Sequence, residues 1–183
     1  MNRVGILREV TEEDLETMLL WRNAPSVREN MYTQHEISLS EHLSWWQRTK
    51  DREDQKYFVF ENSGIPSGIV AFNAIDKVNG NSSWAFYASP EAARGTGSKM
   101  EFLALEYAFN SLNLHKLYCE VLEFNTAVLK LHKRFGFQNE GVFRDQYLIN
   151  QSYTNVHRLG ILKDEWIENK ESMLERIISF SNS

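Results

Sequence analysis

The chain has 183 residues, of which 42 % are hydrophobic, which is enough for one buried core and predicts a single domain over 1–183. Its formal net charge of −5 argues against a general nucleic-acid binder, because nucleic-acid phosphates require concentrated Lys and Arg. No apolar run reaches the roughly 18 residues of a membrane span, and residues 1–10 lack the apolar middle of a signal peptide. We therefore expect a cytoplasmic protein without a membrane partner.

The first part of the chain is predicted to be mainly helical after one short strand. Residues 4–10 have strand composition, and Thr11 is predicted to cap the first helix. Ser38 and Glu41 have the spacing of a capping box, so a second helix should begin there and end near Lys50.

An antiparallel meander is predicted next. The runs 57–61, 68–76 and 83–88 are rich in β-branched and aromatic residues. They are separated by the turn-forming segment 62–66 and by Asn79-Gly80. The two predicted helices and the first two of these runs make up the segment at about 11–76.

Helices and strands alternate in the rest of the chain, which predicts an α/β (α+β) fold with a mixed, mostly antiparallel sheet flanked by helices. A hairpin turn is predicted at Asn150-Gln151. The predicted helices are 97–112, 126–134 and 163–180, and the predicted strands are 116–121, 137–142 and 153–161.

The junction before the helix at 97–112 has the composition of an anion site. Gly95 and Gly97 allow a tight turn whose N–H groups face a ligand where the helix begins, which would suit a pyrophosphate. Residues 94–134 also carry six Lys and Arg against four Glu, a local net charge of +2. A plain strand-to-helix connection remains the alternative. The spacing is not that of a Walker A loop, and Met100 excludes the dinucleotide fingerprint G-x-G-x-x-G.

This order of parts resembles the GCN5-related N-acetyltransferase (GNAT) family, whose pyrophosphate loop reads [QR]-x-x-G-x-[GA]. Residues 92–97 match it in part, with Ala92 in place of the usual Gln or Arg. Residues 116–137, KLYCEVLEFNTAVLKLHKRFGF, are similar to the family's strand, Asn-containing helix start and G-F ending. The resemblance implies about seven strands, a V-shaped splay between parallel strands 4 and 5, and a core at about 84–142 that binds acetyl-coenzyme A.

The resemblance also implies roles for individual residues. His132 stands where many family members carry the Tyr that protonates the departing thiolate, although only about a quarter of an ordinary imidazole is protonated at pH 7. Glu120 and Glu123 are candidate general bases, of which we select Glu123. Cys119 is a poor nucleophile candidate because it lies in an apolar strand, and no metal is required. The implied cofactor-binding residues are Tyr87, Ala88, Arg94, Gly95, Thr96, Gly97, Ser98, Lys99, Asn125 and Lys130.

The segment WRNAPSVRENMYTQHEISLSEHLSWW is similar to one subgroup of the family, which acetylates the 4-amino group of UDP-4-amino-4,6-dideoxy-N-acetyl-β-L-altrosamine in pseudaminic acid biosynthesis. The implied acceptor is a UDP-linked amino sugar, which the elements at about 11–76 recognise and whose deprotonated amine attacks the thioester directly. At least one residue of the Trp45-Trp46 pair should be core. The implied substrate-binding residues are Arg22, His42, Asn73 and Tyr87.

Other interpretations stay open. The Arg22 region also resembles ribosomal-protein alanine acetyltransferases, so the acceptor could be a protein N-terminus or a polyamine such as spermidine. A non-catalytic acyl-coenzyme A-binding module is a further alternative. Arg22 could instead cap its helix, Tyr87 could be core, Asn125 could be an ordinary cap and His132 could be a surface residue. The oligomeric state is open, with a homodimer among the alternatives.

Overall fold

The computed structural model describes residues 4–180, with side chains through residue 179; residues 1–3 and 181–183 of the predicted domain lie outside the described residues. The strands are β1 (Ile6–Glu9), β2 (Lys56–Asn62), β3 (Ile65–Asp76), β4 (Asn81–Ala88), β5 (Lys116–Leu122), β6 (Gln138–Ile149) and β7 (Ser152–Leu162). The helices are α1 (Leu15–Asn23), α2 (Pro25–Arg28), α3 (Leu39–Thr49), α4 (Thr96–Glu106), α5 (Thr126–Arg134) and α6 (Lys163–Phe180). No helix within 4–180 is long and apolar enough to cross a membrane.

The described strands form one seven-stranded sheet in the order β1-β2-β3-β4-β5-β7-β6. Strands β1 to β4 pair in antiparallel fashion, as the turn residues between them predict. The β6–β7 hairpin turns at Asn150 and Gln151, whose φ angles of 51° and 65° are left-handed and match the predicted turn. The predicted fold class is confirmed.

The parallel pair β4–β5 opens into the predicted V-shaped splay. The two strands pair only from Asn81 opposite Lys116 to Ser83 opposite Tyr118. Beyond that point 84–88 pairs with β3 alone and 119–122 pairs with β7 alone. The strand edges that face each other across the gap therefore have backbone groups available to a ligand.

Both faces of the sheet are covered by helices. Alternate side chains on each strand point to opposite faces, so each strand contributes to two cores. On β2, Phe58 and Phe60 join the larger core under α4 and α6, where Phe102 and Trp166 pack at 5.3 Å between ring centroids. Val59 belongs to the smaller core under α1 and α3. The smaller core carries the face on which an acceptor could be recognised.

Tertiary packing changes two predicted boundaries. The predicted helix 97–112 is α-helical only to Glu106 and continues as a π-helical turn at Tyr107–Ser111, with Leu112 N donating to Tyr107 O at 3.0 Å. In this turn Tyr107 packs against the rings of Phe58 and Phe72. These tertiary contacts, rather than helix propensity, decide where the α-helix ends. Strand β6 continues past the predicted 137–142. Bulges shift its register with β7.

Candidate functional site

Two adjoining cavities open on either side of β4. The first, which we call the splay cavity, has a volume of about 430 Å³ and lies between the diverging strands β4 and β5. The second, the helix-side cavity, has a volume of about 370 Å³ and lies between α1, α3 and the sheet. The residues that line both are Met31, Ala85, Phe86 and Tyr87. A donor in the splay cavity and an acceptor in the helix-side cavity would meet along β4.

The splay cavity fits an extended, partly polar ligand such as the pantetheine arm of coenzyme A. Its walls are the facing edges of β4 and β5, whose backbone groups are not paired with each other. Tyr87, Ala88 and Asn125, three of the predicted cofactor-binding residues, are among its lining residues. The side chain of Asn125 also caps α5 by accepting a hydrogen bond from Val128 N at 3.4 Å. The cap and the ligand contact are therefore compatible roles.

The start of α4 has the geometry that an anion site needs. Gly95 is the N-cap residue and has a left-handed φ of 91°, which favours glycine because no Cβ is present to strain the backbone. A Cβ on Gly97 would lie 3.3 Å from Leu131 Cδ2, so this glycine lets α4 pack closely on α5. Thr96 N donates to Ala93 O at 3.1 Å, and the next N–H groups of α4 have no acceptor within the helix, which is why a helix start attracts phosphate.

The remaining predicted cofactor residues surround the start of α4 but do not line the splay cavity. Thr96 is buried and its hydroxyl donates to Ala93 O at 2.7 Å, which stabilises the turn. Lys99 donates to Asn62 Oδ1 at 3.3 Å, and Lys130 is exposed on α5. Contacts of the cofactor with these residues, with Arg94 and with Ser98 stay predictions.

His132 forms a buried pair with a carboxylate that the sequence analysis did not select. Nδ1 of His132 lies 2.8 Å from Oε1 of Glu101, and the side chains are 2 % and 0 % exposed. Burial alone would lower the pKa of His132, but the Glu101 carboxylate and the Cys119 sulfur outweigh it and raise the pKa to about 10. Burial also raises the pKa of Glu101, so the two groups share a proton that the imidazole, which lines the splay cavity, holds more strongly than an ordinary histidine would.

Glu101 could have been found from its helical position. It precedes Leu105 by one turn and Ala108 by two, so its side chain shares their buried face of the helix. A carboxylate at such a position needs a partner, because burying an unpaired charge is costly. Oε2 of Glu101 has no hydrogen-bond partner among the described residues.

Of the two candidate bases, Glu120 rather than Glu123 faces the splay cavity. Glu120 lines that cavity, accepts a hydrogen bond from the Tyr32 hydroxyl at 3.1 Å and pairs with Arg158 at 3.2 Å. Glu123 lines neither cavity. Its carboxylate accepts hydrogen bonds from the Asn155 side chain at 2.9 Å and from the Asn155 backbone N–H at 3.3 Å. Glu123 therefore has a structural role, because its hydrogen bonds attach it to strand β7.

The helix-side cavity contains two polar groups that lack partners. Arg22 donates to Thr33 O at 3.3 Å through one terminal nitrogen, while the other, NH1, is buried without a hydrogen-bond partner among the described residues. His42 stacks on Trp45 at 5.2 Å, and its Nε2 is likewise buried without a partner. Burial lowers the pKa of His42, so the ring is neutral at pH 7. Both side chains line the helix-side cavity, so each brings a buried polar group without a described partner close to the place where an acceptor would lie.

The other two predicted acceptor residues differ in position. Tyr87 lines both cavities, and burial raises its pKa, so its hydroxyl stays protonated. Asn73 lines neither cavity; its Oδ1 accepts a hydrogen bond at 3.0 Å from the hydroxyl of Tyr57, which does line the helix-side cavity. A contact of Asn73 with the acceptor stays a prediction. Trp46 is core, as expected for one residue of the tryptophan pair.

Asn23 has a structural role that sequence reasoning missed. Its amide donates to Ile37 O and accepts from Ile37 N, both at 2.8 Å. This two-point contact holds the segment before α3 against the end of α1, which brings Thr33 O within reach of Arg22. The Asn that follows Arg in the W-R-N run was the available signal.

Comparisons with known proteins agree with this geometry. Residues 6–138 match the family described as "Acetyltransferase (GNAT) domain". The chain is 26 % identical over 162 residues to spermidine N(1)-acetyltransferase of Escherichia coli K12, covering 88 % of this chain and 87 % of that protein. It is 28 % identical over 142 residues to acetyltransferase PseH of Campylobacter jejuni, covering 77 % and 87 %.

A solved structure extends the likeness to the whole fold. Spermidine N-acetyltransferase from Vibrio cholerae, crystallised in complex with CoA and spermine, superposes with a TM-score of 0.84 at 25 % identity. The match covers 91 % of this chain and 99 % of that one. The chain therefore belongs to the GNAT acetyltransferase family and is an acetyl-coenzyme A-dependent N-acetyltransferase.

Proposed function

We propose that the protein transfers the acetyl group of acetyl-coenzyme A to the 4-amino group of a UDP-linked 4-amino-4,6-dideoxy sugar, as in pseudaminic acid biosynthesis. The observation that carries the proposal is that the Arg22 side chain lines the helix-side cavity and has a terminal nitrogen without a hydrogen-bond partner among the described residues. A guanidinium binds phosphate through paired hydrogen bonds, so this nitrogen fits a diphosphate-linked acceptor. The similarity to acetyltransferase PseH supports the same acceptor class.

The charge of the helix-side cavity bears on the main alternative, a polyamine acceptor. Spermidine acetyltransferases are among the relatives of this chain. A polyamine carries several positive charges and would be bound best by carboxylates. The helix-side cavity is lined by Arg22 and Arg48, and Glu41 is the carboxylate among its described lining residues. That balance favours an anionic acceptor and disfavours a polycation.

The chemistry assigned to the site is direct attack of the neutral amine on the thioester. His132, protonated at neutral pH, donates a proton to the departing thiolate. A backbone N–H at the unpaired edge of β4 stabilises the oxyanion. Glu120 takes the role of base that the sequence analysis gave to Glu123, because Glu120 lines the splay cavity and accepts the ammonium proton directly or through water.

The two carboxylates can be compared by matched substitution. Glu120→Gln should lower kcat/KM about 10-fold or more below pH 8, where the amine needs help to lose its proton. Glu123→Gln should leave kcat/KM within about twofold and act mainly on stability, since it keeps most of its hydrogen bonds to Asn155. Steady-state rates from pH 6 to 10 make the comparison, and a larger loss in Glu123→Gln would restore the original assignment.

The acceptor is tested by thiol release from acetyl-coenzyme A with three amines: the 4-amino UDP-sugar, spermidine and an N-terminal alanine peptide. We expect kcat/KM for the UDP-sugar to exceed kcat/KM for each of the other two amines by about 100-fold or more. The reason is that spermidine and the peptide have no phosphate to bind the buried charge of Arg22. Faster turnover of spermidine or peptide would transfer the assignment to that acceptor. Coenzyme A binding without turnover of any amine would favour the non-catalytic alternative.

A further inference from the structure

A carboxylate lies behind the imidazole of the splay cavity, on the side away from the ligand. Glu101 on α4 contacts His132 on α5 through the 2.8 Å contact between Oε1 and Nδ1. His132 lines the splay cavity, whereas Glu101 is completely buried and lines neither cavity. Glu101 can therefore influence a bound ligand only through His132.

The surroundings of His132 fix the orientation of its ring. Nδ1 donates to Glu101, and the rings of Trp84, Phe86 and Phe137 pack around the imidazole at centroid distances of 5.4, 6.0 and 5.1 Å. The titratable and charged groups that face the pair are Cys119 on β5, toward His132, and Arg134 at the end of α5, toward Glu101. Glu101 is the carboxylate that faces the imidazole among the described residues.

The pair is poorly explained as packing alone. Oε2 of Glu101 is buried and has no hydrogen-bond partner within the part of the chain that the structure describes, which destabilises the fold. A buried ion pair of this kind can often be replaced by apolar residues without loss of stability. The neighbours Met100 and Phe102 show that apolar side chains are accommodated on this helix. The buried carboxyl group of Glu101 therefore indicates a role beyond filling the core.

We propose that Glu101 is a positioning residue that orients His132 and holds it in the protonated form for proton transfer to the departing coenzyme A sulfur. In that step an N–H bond of His132 breaks and an S–H bond forms. The proton that the acceptor amine releases restores the imidazolium through solvent. This inference rests on the proposed catalytic role of His132 and does not depend on which amine is the acceptor.

The test compares Glu101→Gln with the unmodified protein. Two quantities are measured: the charge of the His132 imidazole by NMR titration, and kcat as a function of pH. In the unmodified protein the His132 imidazole should keep its charge up to a pH of about 10. In Glu101→Gln, Cys119 alone still opposes burial, so the imidazole should lose its charge at a lower pH than in the unmodified protein. With the best acceptor found, kcat at pH 8 should fall about 10- to 100-fold while both KM values change less than about threefold.

Glu106→Gln is the matched control, because Glu106 also lies on α4 and also pairs with another helix, contacting Trp166 Nε1 at 2.9 Å and Lys170 at 2.5 Å. It should reduce stability without shifting the His132 titration. Glu101→Asp, which keeps the carboxylate, should restore part of the imidazole charge and of kcat.

A folded Glu101→Gln variant with an unshifted titration and pH profile would overturn the inference. If Glu101→Gln does not fold, a His132 imidazole that is already neutral at pH 8 in the unmodified protein would overturn it instead. Failure of the UDP-sugar assignment can be recognised separately. In that case the UDP-sugar would not be turned over, while the His132 titration would still be altered in Glu101→Gln.

Discussion

Arg22→Met should raise KM for the UDP-linked amino sugar about 100-fold and leave KM for acetyl-coenzyme A within about threefold. The expected loss is that of a charge-assisted hydrogen bond to phosphate from the buried NH1 of Arg22. Steady-state kinetics with each substrate varied in turn measures it. The selective effect on one KM would follow from the position of Arg22 in the helix-side cavity, outside the splay cavity.

The same substitution should leave the free energy of unfolding of the ligand-free protein unchanged or raise it. Arg22 has no carboxylate partner among the described residues, and burial lowers its pKa, which shows that its charge is partly desolvated. Methionine fills similar space without a buried charge. Chemical denaturation would therefore show equal or higher stability beside impaired acceptor binding, a combination that a merely structural arginine would not give.

Arg52→Met is the control, because Arg52 is exposed and pairs with Asp54 at 2.6 Å away from both cavities. It should change neither KM. The polyamine alternative predicts the opposite sign for Arg22→Met, since removing a positive charge from the cavity would lower KM for spermidine. An unchanged KM for the UDP-sugar would remove Arg22 from the acceptor site.

His132→Gln should lower kcat about 100- to 1,000-fold with little change in the KM for acetyl-coenzyme A. Glutamine is chosen because its amide can still donate to Glu101, so the carboxylate is not left without a partner. An acid must carry its proton to act, so kcat of the unmodified enzyme should fall as pH rises through about 10. This fall in kcat at high pH should be absent in His132→Gln. Rates with a saturating acceptor measure both effects.

Stability as a function of pH gives an independent check on His132. The folded pKa of about 10 lies above the ordinary value of 6.5, so the stabilisation is complete below pH 6.5 and is lost as pH rises through 10. Between those values the free energy of unfolding should fall more steeply in the unmodified protein than in His132→Gln. Parallel curves would mean that the imidazole is not held in its charged form.

Much of the fold follows from local sequence. Asn150 and Gln151 adopt the left-handed backbone of a tight turn at the place where the sequence predicts the hairpin, and asparagine tolerates that backbone well. Gly95 likewise has the backbone angle that its place before α4 requires. Local propensity did not indicate the π-helical turn at 107–111, because ring packing against β2 and β3 decides it.

The sequence by itself determined the order of the strands and of the longer helices and the glycine turn before α4, since each depends on residues only a few places apart. It did not predict the short helix α2, and the role given to His132 came from the resemblance to the family. Tertiary structure alone decided that Arg22 has an unpartnered nitrogen, that Glu120 rather than Glu123 faces the splay cavity, and that Glu101 pairs with His132. These features depend on the packing of elements distant in sequence. Charge and proton affinity there are set by neighbours and burial, which no local pattern encodes.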